Sequence, residues 1–150
     1  MKIKSITINA PLELTPIKER YFELAKRLEV AIYTDDGVYR YTVEKGFNTN
    51  LRSGSNVIDC IVPHVGNQMI AVAYLVHDVG YNVSEAGQHL VSKEFADKLL
   101  EAMLVYAGVS KVKAKIVKKS VQWFGQSAYD EYDEVCAHNQ GKYWFRWDSK

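Results

Sequence analysis

The dipeptide His77-Asp78 closes the most apolar stretch of the chain, MIAVAYLV from Met69 to Val76. Tyr81 follows four residues after His77, which on a helix places both on one face. An imidazole titrates near neutrality and serves as a general base when another group orients its second ring nitrogen. Asp97 is the candidate orienter. It falls in the first turns of the next periodic segment, beside Leu100 and Leu104, so it borders an apolar stripe. If the two segments are helices packed antiparallel, Asp97 reaches His77, and Asp78 points elsewhere, for example toward a cation. The same residues also read as a satisfied core pair, His77 with Asp97 and Tyr81 packed on them, because buried polar groups are paired in any fold.

The elements that must carry these residues are legible in outline. Asn67 to Tyr81 reads as a helix with apolar residues on every face, hence a central one; a buried strand competes for the same run. Gly80 and the polar residues after Tyr81 are expected to end it. Ser92 is a good N-cap for the next helix, with Val91 available as a staple. Phe95, Leu99, Ala102, Met103 and Tyr106 then share one face, Leu100 and Leu104 form a second stripe, and Gly108 supplies the C′ stop. Ser110 caps a third helix, Lys111 to Phe124, with Val112, Ile116 and Val117 expected inward and the lysines outward, and Gly125 ends it.

Ahead of the helices, Lys2 to Ala10 alternates as a strand does. In residues 11–28, Tyr21, Leu24, Ala25 and Leu28 fit helical spacing, while Phe22 and Leu24 also fit a strand, so both readings stand. Leu28–Tyr33 and Val38–Val43 form a hairpin around Asp35-Asp36-Gly37, where an Asp-Gly turn supplies positive backbone angles. Residues 44–56 read as loop. The tail is irregular, then strand-like over Tyr143–Trp147. The expected fold class is α+β: an N-terminal antiparallel β-meander, about three helices and an aromatic strand-like tail, in one domain spanning residues 1–150.

Totals narrow the function classes. Charged residues make up 25% and apolar residues 47% of the 150, an ordinary globular balance rather than a disordered one. A net charge of +1 gives no general electrostatic reason to expect nucleic acid as partner. Cys60 and Cys136 lie far apart outside any CxxC spacing, which argues against a disulfide framework and fits a reducing compartment. The basic N-terminus has no apolar run long enough for a signal peptide. The longest apolar run is too short to span a bilayer, which takes ~20 helical residues. The expected location is the cytoplasm.

Several residues together carry a family resemblance. Gly46-Phe47-Asn48-Thr49-Asn50-Leu51-Arg52-Ser53 is similar to a Gly-Phe-x-Thr-Asp-x-x-Ser loop. The segments His77-Asp78-Val79-Gly80-Tyr81, Ala96-Asp97-Lys98-Leu99-Leu100, Gly108 and Phe124-Gly125 follow in the same order. The chain in this respect resembles a phage- and prophage-encoded family of unknown function, over about Tyr21 to Tyr129. That resemblance favours a strand for Tyr21–Leu28 and adds Thr49, Asn50 and Ser53 as a possible site loop. Two positions depart from it: the loop aspartate is Asn50, and the proline usual after the loop serine is Gly54. If that aspartate is catalytic in the family, this member is impaired.

A more distant similarity links the helix pair to small secreted phospholipases and the parvovirus capsid phospholipase domain. It implies His77 as base, Asp97 as its orienter, Tyr81 as part of the catalytic cluster and Asp78 as a calcium ligand, in a hydrolase acting on a lipid or other ester. Oxygen ligands suit such a hard ion, and the metal would polarise the carbonyl. The flanking cysteines of the secreted enzymes are absent, and Ser53-Gly54-Ser55-Asn56 is a weak substitute for a glycine-rich calcium loop. The alternative is a non-enzymatic phage accessory or virion protein that binds a host or particle component, with the His/Asp cluster structural.

The remaining candidates are weaker. His64 sits in a loop that could line a cleft, and His89 and His138 read as surface residues. Lys111, Lys113, Lys115, Lys118 and Lys119 read as a solvated helix face first and a phosphate or nucleic-acid patch second. Tyr143-Trp144-Phe145-Arg146-Trp147 seals the core or, if exposed, marks a partner or membrane-interface patch.

Overall fold

The computed structural model describes residues 1–18, 21–51 and 61–150. In chain order its elements are β1 (Ile3–Ile8), β2 (Leu14–Lys18), β3 (Tyr21–Leu24), β4 (Leu28–Thr34), β5 (Gly37–Val43), β6 (Asn48–Thr49), α1 (Gln68–Tyr81), α2 (Lys93–Tyr106), α3 (Lys111–Phe124), α4 (Gln126–Asp130), α5 (Glu134–Asn139) and β7 (Tyr143–Ser149). The class is α+β, as the alternation and helical periods predict.

Two antiparallel sheets carry the strands. The larger has the order β1-β4-β5-β7, and the smaller has β2-β3-β6. Within residues 11–28, Leu14–Lys18 and Tyr21–Leu24 form strands and Leu28 opens β4, the second of the two readings. Pro16 lies in β2, an edge strand, where its missing N–H costs no ladder bond. The β4–β5 hairpin forms with Tyr33 opposite Val38. Of its turn residues only Gly37 has a positive φ, 149°, and a Cβ there would collide with the Asp148 carbonyl of the neighbouring strand. The aromatic tail is less irregular than expected: α4 and α5 precede β7, which pairs with β5 from Gly37–Ser149 to Val43–Tyr143. Its Tyr143 and Phe145 pack against the core, while Trp144 and Trp147 stay about half exposed.

α1 is the buried axis of the helical layer. Eleven of its 14 residues are buried, in line with its all-round apolar sequence. Asn67 caps it by accepting from the Ile70 N–H. Gly80 does not end this helix but lies inside it, where a Cβ would meet the Ala96 Cβ at 3.0 Å and Val91 at 3.2 Å. That close approach lets α2 lie tightly against α1. The two run antiparallel: Asn67 bonds the Ala107 carbonyl at one end, and Gly80 meets Ala96 near the other. Ser92 caps α2 through the Phe95 N–H. Gly108, at φ 98°, ends α2 with the paired bonds Gly108 N–H to Val105 O and Val109 N–H to Leu104 O.

Two expected faces are corrected. Tyr106 is 41% exposed rather than on the inner face of α2. In α3 the inward residues are Ala114, Val117 and Val121, while Val112 and Ile116 face out at 71% and 42% exposure. Small Ala114 lets α3 sit close to its neighbour, so the helix is turned away from its bulkier stripe.

Candidate functional site

The antiparallel pairing of α1 and α2 brings His77, Tyr81 and Asp97 together. His77 Nε2 lies 2.8 Å from Asp97 Oδ1, and the Tyr81 hydroxyl donates to the same oxygen at 2.7 Å. The imidazole and phenol rings are 4.1 Å apart between centroids. A fourth member joins from α2 itself: Lys93 Nζ donates to Asp97 Oδ2 at 2.8 Å and to the Val121 carbonyl of α3 at 3.0 Å. Asp97 thus accepts from three donors at once, and both His77 and Asp97 are 1% exposed.

Charge states follow from this environment. Burial opposes the Asp97 anion, but bonds from His77, Lys93 and Tyr81 outweigh it and hold the carboxyl below its ordinary value. Burial lowers the His77 pKa, against the opposing pull of Asp97, so the ring is neutral at pH 7. A neutral imidazole facing an ionised carboxylate must donate, so the proton sits on Nε2 and the basic lone pair is on Nδ1. Burial and the bond to Asp97 raise the Tyr81 pKa, which keeps the phenol protonated as a donor.

Asp78, on the next position of α1, faces away from this cluster. Its carboxylate accepts a short hydrogen bond from the Thr49 hydroxyl of β6. The backbone N–H groups of Leu51 and Asn50 also favour its anion. Leu51 takes the left-handed conformation, φ 51°, and its N–H donates to the Thr49 hydroxyl. Even so, burial pushes the Asp78 pKa up to about 7.

Asp78 lines a pocket of about 110 Å3 with Asn48, Thr49, Asn50, Tyr81 and Asp133 among its walls. An amide network frames it. Asn139 Oδ1 accepts from the Asn48 N–H, and Asn139 Nδ2 donates to the Asn48 carbonyl and to Asn82 Oδ1. Asn82 Nδ2 closes the link to the Asp78 carbonyl. Asn48 Oδ1 is buried and has no hydrogen-bond partner among the described residues. Oxygen groups dominate this pocket: the Asp78 and Asp133 carboxylates, the Asn48 and Asn50 amides and the Thr49 hydroxyl. That donor set suits a hard cation, although no group of three His, Cys, Asp or Glu forms a metal cluster among the described residues.

Of the residues singled out from sequence, the structure therefore joins His77, Tyr81 and Asp97 in one cluster and Asp78, Thr49 and Asn50 in the adjoining pocket. Ser53, Gly54 and Cys60 lie outside the described residues. His64 lines a separate apolar pocket with Phe22 and Leu51. His89 is partly buried, with its ring stacked on Tyr129 at 3.6 Å, and His138 is exposed and bonds the Gly46 carbonyl. Cys136 is a buried free thiol. Lys93, Asn82 and Asn139 were not anticipated. Lys93 had a signal, its i,i+4 spacing to Asp97. The asparagines had none.

The fold and site together define an α+β domain built around a buried imidazole–carboxylate pair clasped between two antiparallel helices. Residues 24–121 match the family described as protein of unknown function DUF1353, and the chain belongs to that family. That stretch runs from the end of β3 to the last buried residue of α3 and contains His77, Asp78, Tyr81, Lys93 and Asp97 with Asn48, Thr49, Asn50 and Asn82, while Asp133 and Asn139 lie beyond it. No curated protein and no solved structure matches the chain.

Proposed function

We propose that this domain is an ester hydrolase of phage type, with His77 as general base, Asp97 as its orienter and Tyr81 fixing the aspartate. The observation that carries the reading is the bond chain Tyr81–Asp97–His77, which sets a neutral ring with its basic nitrogen opposite the carboxylate. In this reading His77 takes a proton from the attacking water while Asp97 holds the ring and offsets the positive charge that develops. Lys93 and Tyr81 keep Asp97 ionised and in place. Asp78, with Asn48 and Thr49, would hold a calcium ion, which when bound polarises the ester carbonyl. Lipid esters are the substrate class to test first.

The test is hydrolysis of a phospholipid or short-chain ester by the purified chain, with and without millimolar calcium, alongside His77→Ala and Asp78→Asn. The reading expects turnover that disappears in His77→Ala while the fold survives. It also expects calcium to raise the melting temperature of the wild type and not of Asp78→Asn. A folded wild type that turns over no ester removes the hydrolase; absence of any thermal shift removes calcium.

The sealed position of His77, 1% exposed, favours a second reading. In it the cluster pins α1 to α2, and the chain is a non-enzymatic phage accessory or virion protein that engages a host or particle protein. This reading expects His77→Ala to unfold the domain and a specific partner to be recovered from infected cells.

A further inference from the structure

The outer face of α3 is left over by everything described so far. Ala114, Val117 and Val121 turn inward. At 100° per residue, Val112, Ile116 and Trp123 fall within about 40° of one another on the opposite side. They are 71%, 42% and 73% exposed. A soluble helix ordinarily places its most polar residues there. Phe124, 66% exposed, lies at the helix end about 80° round from this stripe.

Lysines rim this stripe. Lys115 and Lys119 flank it on one side and Lys113 on the other, and α3 contains no acidic residue. The helix holds five of the chain's 19 basic residues and none of its 18 acidic ones, so the remainder is net acidic. Among the described residues only Lys118 of this set makes an ion pair, with Glu101 at 3.7 Å. Lys111, Lys115 and Lys118 also line a groove of about 810 Å3 together with Lys2, Lys98 and a single carboxylate, Glu101. The cationic rim thus continues into a cationic groove.

We propose that this face docks on an anionic lipid bilayer. A narrow apolar stripe with a tryptophan, bordered by lysines, matches a helix that lies in the interface and buries its apolar side about 5–10 Å deep. Lysine stems reach along apolar surface while their ammonium groups meet headgroup phosphates. Three or four side chains fall well short of the ~800 Å2 per partner of a stable protein interface, whereas they suffice for shallow insertion assisted by charge. The docking does not rest on the hydrolase reading, since it is measured without turnover.

The experiment is co-sedimentation of the full chain with vesicles of phosphatidylcholine alone or mixed with phosphatidylglycerol, read together with tryptophan fluorescence. Binding is expected to the anionic vesicles, to weaken as salt rises, and to carry a blue shift that Trp123→Ser removes. Ile116→Ser/Trp123→Ser should abolish it. Lys115→Gln and Lys119→Gln should each weaken it about fivefold. All four positions are solvent-facing or rim positions, and an unchanged melting temperature confirms the fold. Equal affinity for neutral vesicles, no binding to either, or wild-type binding by these variants overturns the proposal. So does a dimer that disappears in Ile116→Ser/Trp123→Ser without vesicle binding, which would assign the face to a second copy of the chain.

Discussion

Replacing Asp78 by Asn should leave stability near that of wild type at about pH 4 and raise it at neutral pH. The amide keeps the shape and can still accept from Thr49, but it removes a charge that burial disfavours. In the folded chain the Asp78 pKa stands at about 7, against an ordinary 3.8. Between these values the native state binds the proton that the unfolded chain has already released. Unfolding free energy therefore falls as pH rises from about 4 to about 7, and the full penalty is present above that. At about 1.4 kcal/mol per pH unit the displacement corresponds to about 4 kcal/mol; partial exposure to the pocket reduces it to about 2–4 kcal/mol. Urea unfolding of both proteins across that range gives the difference directly. The stability of Asp78→Asn relative to wild type should climb by that amount and then level off. A difference that is flat with pH, or that declines, would refute the assignment of a strained carboxyl at this position.

Asp97→Ala should cost about 3–5 kcal/mol, because Lys93, His77 and Tyr81 lose a shared buried acceptor; chemical denaturation measures it, and a loss below 1 kcal/mol would contradict the network. Acid should destabilise the wild type through the same cluster. The stability contributed by Asp97, whose pKa is lowered, is lost as pH falls through its folded value, and His77 adds to the loss below its ordinary 6.5. Asp97→Asn should flatten that limb of the stability curve. Gly125→Ala should destabilise by about 1–3 kcal/mol, because its Cβ would lie 2.7 Å from the Tyr81 hydroxyl and against the Val121 carbonyl; Gly125 thus guards the Tyr81–Asp97 bond, and a neutral thermal scan would disprove that.

Much of the framework was legible because local chemistry set it. Ser92 and Ser110 act as the caps their types suggest, and Gly108 adopts the left-handed stop. The His77–Asp97 pairing was legible because consecutive helices that each carry an apolar face pack antiparallel, and Tyr81 shares a face with His77. α3 misled because its sequence carries two apolar stripes. Val112 and Ile116 are the more hydrophobic choice, but the small side chain of Ala114 permits closer packing, and packing decided. Tyr21, Leu24, Ala25 and Leu28 satisfied a helical period by accident, across β3, the connection after it and the start of β4; the alternation of Phe22 and Leu24 was the contrary signal. The frame of the Asp78 pocket had no local signal. Asn139 meets Asn48 from 91 positions away, a pairing that only the finished fold creates.

Whether His77 is poised as a base is decided by the protonation of its ring. Ring nitrogen resonances of the labelled protein should show a neutral imidazole protonated on Nε2 at pH 7, titrating only below the ordinary histidine range, with that form lost in Asp97→Ala if the variant folds. An imidazolium at pH 7, or a proton resident on Nδ1, would mean that Asp97 does not orient this ring as a base.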